Sequence, residues 1–317
     1  MQESSYDLLI KIRKISLSSM LFSLGLTLIL VQISSNRVSW QIALALVALT
    51  IGIPHGAVDH LISVPKLFSL KMATFLFKYL LVTGVAVWFL LQFPMLGFQL
   101  IVFCSALHFG VGDASFYQEI YRRSVQVHFP KALYVLASGF TPVLIPLVSD
   151  KTKQALETVN PDLVGWAGTF THQAFIGCLV LNLITVTVLL FRKIFWPAID
   201  LLALLALALL APPLVAFAIY FGLWHAVRHT ARLTLEYGPS IRQHELGKTW
   251  QSLWLAVRAG LPAVVIVLGF TLWLTVFSNA SVSGNFLWYL LVVTWALTVP
   301  HMALTARSDI KALSEKT

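Results

Sequence analysis

Residues 164–191 read VGWAGTFTHQAFIGCLVLNLITVTVLLF, 28 residues without one Asp, Glu, Lys or Arg. A bilayer-spanning helix needs about 20 mainly apolar residues. A transmembrane barrel strand would instead show ~10-residue stretches of alternating hydrophobicity. This run is long and does not alternate, so it predicts a membrane helix. Nine further segments resemble it: 17–34, 38–60, 73–92, 95–112, 131–148, 197–211, 213–233, 254–277 and 285–304. The 197–211 segment is short, and Pro212–Pro213 part it from the next, so eight to ten spans are expected. Composition agrees: 58% of residues are hydrophobic, 11% are charged, and mean hydropathy is +0.83. Soluble domains are about 45–50% apolar and about 25% charged. A soluble enzyme, a disordered chain and a disulfide scaffold are thereby excluded. The expected fold is all-α, a polytopic integral membrane helical bundle. Its parts are a cytoplasmic N-terminal segment (1–16), one transmembrane catalytic domain (17–305) and a cytoplasmic C-terminal tail (306–317).

The formal charge of +9 comes from 22 Lys+Arg against 13 Asp+Glu. With ten spans and a cytoplasmic N-terminus, 19 of these 22 cations fall on the cytoplasmic side. Only Arg37, Lys151 and Lys153 fall outside it. Basic loops face the cytoplasm, so both termini are expected there, in a bacterial-type inner cell membrane. No basic run alternates with aromatics, so nucleic acid is not expected as a partner. Lys11, Arg13 and Lys14 precede an apolar run longer than a signal-peptide core, and no cleavage-type site follows it. Cys104 and Cys178 sit in apolar runs and read as small buried residues.

Nine histidines carry the functional signal. Ionisable groups inside spans are costly and usually functional. His128 and His244 fall in loops and read as solvated. His172 reads as interfacial or packing. The other six, His55, His60, His108, His225, His229 and His301, lie on four segments that run the same way across the bilayer. All six sit toward the cytoplasmic end, at one depth. His225 and His229 are four apart and share a helix face, a spacing suited to two ligands on one metal. His55 and His60 are five apart, about 140° around a helix, and share a centre only if the helix breaks. Gly52, Pro54 and Gly56 favour a break, whether as a packing kink or as a distortion that aims His55 inward. Asp59 and Asp113 either accept from ligand imidazoles or simply end their helices. Imidazole suits Zn, Cu, Fe or Ni, and the surplus of His over carboxylate favours an all-His shell. Phe109, Tyr220, Phe221, Trp224 and Trp295 surround these positions and suit an apolar, lipid-soluble substrate entering sideways.

The strings PHGAVDH (54–60), HFG (108–110) with Asp113, WHAVRH (224–229) and PHM (300–302) resemble the Brp/Blh-type bacterial β-carotene 15,15′-dioxygenases. The likeness runs from about residue 50 to 305. It implies an Fe(II) enzyme that splits the central double bond of β-carotene with O₂ into two all-trans-retinal. It also implies His55, His108, His225 and His229 as iron ligands. His60, Asp59, Asp113 and His301 then lie behind them or in the cavity, with His60 the alternative ligand. Retinal production would make a retinal-accepting rhodopsin a partner. Three other readings compete. A membrane lipid desaturase or hydroxylase needs more histidine boxes than the one HxxxH pair here. A metal or proton-coupled transporter generally places its site at the bilayer midplane and shows repeat symmetry. A haem protein with paired histidines would reveal itself by its absorbance.

Overall fold

The computed structural model describes residues 5–33, 38–64, 68–122, 128–278 and 282–314. Four of the loop cations, Arg37, Lys66, Arg123 and Lys316, lie outside the described residues. No strand occurs among the described residues. The helices are α1 (Ser5–Ile33), α2 (Val38–Gly56), the short α3 (Asp59–Ser63), α4 (Leu70–Gln92), α5 (Pro94–Tyr121), α6 (Lys131–Leu147), α7 (Thr152–Val159) and α8 (Thr171–Phe191). They continue with α9 (Phe195–Leu210), α10 (Pro213–Ile219), a π-helical turn at Tyr220–His225, α11 (Ala226–Thr234), α12 (Gly238–Glu245), α13 (Thr249–Phe277) and α14 (Val282–Ser314). Each of the ten apolar segments coincides with one of these helices or with the α10–π–α11 unit.

Seven helices are long and apolar enough to cross a membrane, or eight if the bent pair α6–α7 is one span. That bend is 81°. α9 is too short to count, and α10–π–α11 is broken, so the eight-to-ten expectation is met only at its lower edge. Local chemistry sets the element boundaries. Ser69 caps α4 by accepting from the Met72 amide at 3.1 Å, which satisfies an orphan donor. Pro94 and Pro213 open α5 and α10 at positions where a missing N–H costs nothing.

Helices that face lipid need no polar exterior. Phe22 (73% exposed), Phe77 (67%) and Val265 (73%) stand outward. So broad an apolar surface is membrane-facing. The chain is an integral membrane protein.

Two expectations at the ends change. α1 begins at Ser5, before the apolar run, and Leu8, Leu9 and Ile12 are buried in the core. α14 continues to Ser314, with Asp309 buried. Residues 5–16 and 306–314 are therefore helical continuations of α1 and α14. Leu313 packs on the same cluster as Leu8 and Leu9, so both helical ends meet at one end of the bundle.

Candidate functional site

α2 carries His55 in its last turn, just after Pro54. The helix stops at Gly56, turns through Ala57–Val58 and restarts as α3. Irregular backbone at membrane depth is tolerated where it lines a cavity or packs on protein. Three glycines allow the close approach. A Cβ on Gly260 of α13 would overlap the Pro54 carbonyl, and one on Gly52 would overlap the Phe221 ring. A Cβ on Gly56 would stand 3.3 Å from His301 Nδ1. The break separates the two histidines of the motif: His60 Nδ1 lies 2.8 Å from the Ala57 carbonyl and the ring makes no contact with the other histidines. The five-residue spacing left open where the helix breaks; the structure puts His60 on the cavity wall.

The WHAVRH string spans the end of the π turn and the start of α11. Single π turns recur at functional sites. Here the turn delivers His225, and α11 stacks His229 beneath it with centroids 5.9 Å apart and planes 13° apart.

Five imidazoles gather. His55, His225, His108 and His301 form a closed ring whose edges are 5.3, 5.2, 5.2 and 5.4 Å between centroids. His229 stands against this ring, 5.1 Å from His55, 5.4 Å from His301, 5.9 Å from His225 and 6.5 Å from His108. The four ring histidines line a cavity, and His229 does not. All five are buried.

The hydrogen bonds of this group are one-sided. His301 Nδ1 lies 2.8 Å from Asp59 Oδ2, so Nδ1–H donates to the carboxylate and Nε2 keeps its lone pair. Thr305 Oγ1 donates to the His301 carbonyl at 3.1 Å and lies 3.5 Å from His108 Nδ1. The Nε2 atoms of His108, His225, His229 and His301, and Nδ1 of His55, are buried without a partner. Buried polar atoms are rarely left so. Unpartnered Nε2 atoms on four of these gathered rings, His108, His225, His229 and His301, are the donor type that a transition-metal ion takes. Among the described residues no group of three His, Cys, Asp or Glu is close enough to hold an ion.

The cavity measures about 630 Å³, within the ~300–1,000 Å³ range of small-molecule sites. Away from the histidines its wall is almost wholly apolar. Phe109, Tyr220, Phe221 and Trp295 line it, as do Asp59 and His60.

Trp224 does not line it. Its ring is fully buried, donates from Nε1 to Asp113 at 3.0 and 3.1 Å, and lies 3.4 Å below the Arg228 guanidinium. Asp113 thus accepts from Trp224 and Arg228, not from a histidine, because α5 turns it away from the ring toward Arg228. Arg228 also pairs with Asp200 at 2.6 Å, and Arg13 pairs with the other Asp200 oxygen at 2.7 Å. Tyr117 donates to the same carboxylate. Nearby, Arg232 holds Glu119 at 2.8 Å and Asp309. Sequence reasoning missed this network. Its signal was Asp200, the one charge in the 197–211 run. Arg13, Arg228 and Arg232 were read as cytoplasmic loop charges, but all three are buried in ion pairs. His244 is likewise corrected: it is buried in α12, not solvated in a loop. His128 and His172 are exposed.

Comparison with known proteins follows the same residues. A family model for β-carotene 15,15′-dioxygenase matches residues 46–307. A β-carotene 15,15′-dioxygenase of the uncultured marine bacterium 66A03 is 30% identical over 281 residues, 83% of this chain and 91% of that protein. A protein named "Probable beta-carotene 15,15'-dioxygenase Blh" from Halobacterium salinarum is 26% identical over 303 residues, 83% of this chain and 82% of that protein. No solved structure matches.

Proposed function

The chain belongs to the β-carotene 15,15′-dioxygenase family, and from that premise we propose that the histidine-walled cavity is where it cleaves its carotenoid. It is a carotenoid-cleaving oxygenase. The finer reading is cleavage of the central 15,15′ double bond of β-carotene. One O₂ supplies both aldehyde oxygens, so each substrate yields two all-trans-retinal and the atoms balance. The observation that carries this reading is the cluster of five histidines, four of which line an apolar cavity.

The cofactor in this reading is a non-haem Fe(II). His55, His108, His225 and His229 are the ligands implied by the family motifs. His301 joins them by position, with its tautomer set by Asp59. Bound iron would supply the O₂ activation that closed-shell side chains lack. The chain's own residues do the rest. Asp59 fixes His301, and Thr305 stands by His108 Nδ1. Phe109, Tyr220, Phe221 and Trp295 present an apolar wall that orients the polyene and excludes water. The ring faces of Phe109 and Phe221, beside His225, are placed to steady positive charge developing on the polyene. Trp224, hidden behind the wall, has no such part. The bacterial-type inner cell membrane, with both termini cytoplasmic, is the location that the Lys/Arg distribution supports. The meeting of the two helical ends agrees with it.

Purified protein stripped with a chelator and reloaded tests the cofactor. Fe(II) is expected to restore aldehyde formation from β-carotene, and Zn(II) is not. Equal recovery with Zn(II), or full activity after stripping, would overturn the iron assignment.

A further inference from the structure

α2 and α4 both face the cavity, α2 with Ala45 and Leu46 and α4 with Leu76 and Leu80. Yet α2 packs on α10 and α13, whereas α4 packs on α14 and α5. The wall between them is a seam rather than a helix pair. Leu76 and Leu80 line the cavity and are also 41% and 63% exposed. Such exposure of cavity-lining side chains is what an opening at this seam would give. A second groove, lined by Phe68, Ser69, Leu70, Met72 and Ala73, shares His60 and Leu76 with the cavity. The short α3, left by the break after Gly56, forms the sill. The break ends α2 at Gly56, directly after His55, and α3 follows beside this seam.

We propose that this seam is a lateral port, through which a lipid-soluble hydrocarbon passes between the bilayer and the histidine ring. The proposal rests on the substrate reading above for the identity of the molecule, but not for the existence of the opening. The port lies on the lipid-facing side, since α4 is the spanning helix with the least buried surface, 11% of its apolar window. Its lips are apolar, which suits a hydrocarbon and disfavours ions. The rival opening is at Ile266 of α13, which also lines the cavity and is 68% exposed.

The test needs no substrate. In a background with Cys104→Ala and Cys178→Ala, Ser105→Cys places a thiol on the cavity wall. An apolar maleimide dissolved in phospholipid vesicles reports its accessibility. Leu76→Trp and Leu80→Trp are expected to slow modification at least tenfold. Leu81→Trp, 55% exposed on the same helix but absent from the cavity wall, is expected to leave it unchanged. Because both lips face lipid, the larger ring is accommodated, and a thermal melt checks that each variant is folded. Equal rates in all folded variants, or slowing by Ile266→Trp alone, would overturn the port. In parallel, β-carotene dissolved in the same vesicles is expected to protect the Ser105→Cys thiol from the maleimide. Absence of protection, with the labelling pattern of the variants intact, would sink the substrate and leave the port standing.

Discussion

Asp59 accepts from His301 Nδ1 at 2.8 Å, and this one contact turns a PHM motif histidine toward the cluster. Partners of ligand imidazoles typically carry about 10–100-fold of metal affinity. Asp59→Asn is therefore expected to weaken iron binding roughly 10–100-fold with little change in folding, read by iron titration beside a thermal melt. Iron affinity equal to the parent's would remove His301 from the ligand set. His108→Ala, His225→Ala and His229→Ala are expected to lower bound iron and abolish cleavage. His128→Ala and His172→Ala, at exposed positions, are expected to change neither. His244→Ala is not a neutral control, since that ring is buried. At this scale the sequence was informative about residue type and grouping: the HxxxH spacing puts His225 and His229 together. It was silent on which way Asp113 and Trp224 point, because rotation about a helix axis is set by partners far along the chain.

The break in α2 and the π turn before α11 aim the histidines, and both depend on close backbone contacts. Gly260 lets α13 lie against the Pro54 carbonyl. Gly260→Val forces the two helices apart. A loss of about 1–3 kcal/mol, the usual cost of overpacking, is expected together with lower bound iron, because His55 follows Pro54 directly. Gly269→Ala, on the same helix with nothing near its would-be Cβ, is expected to change neither. Unaltered melting and iron content in Gly260→Val would mean that this contact does not position His55. Long apolar runs predicted the ten helical segments, and Pro–Gly content predicted trouble near residue 54. The π turn had no such mark in YFGLWH, since its register is imposed by packing rather than by any residue that forbids an α-helix.

Across the whole molecule, one carboxylate ties the bundle together. Asp200 receives Arg13 from α1 and Arg228 from α11, while Asp113 and Trp224 hold the far side of Arg228. Removing one partner of a buried ionic group costs about 3–5 kcal/mol. Asp200→Ala is expected to lower the melting temperature sharply and to loosen the helix that bears His225 and His229. Glu157→Gln, in the exposed Lys153–Glu157 pair, is expected to leave it nearly unchanged. Similar melting temperatures would deny the network its structural part. The helical membrane class was legible from long uncharged runs. The network was not, because loop charge and buried charge look alike in a linear chain. In the function proposed above, histidines gathered from four parts of the chain serve to cleave a carotenoid at its middle. Pigment chromatography of β-carotene-accumulating bacteria, with the unmutated chain and with His225→Ala, tests it most directly. The account predicts retinal, with matching loss of β-carotene, for the unmutated chain alone. Undiminished β-carotene beside folded, membrane-inserted, iron-loaded protein would contradict it.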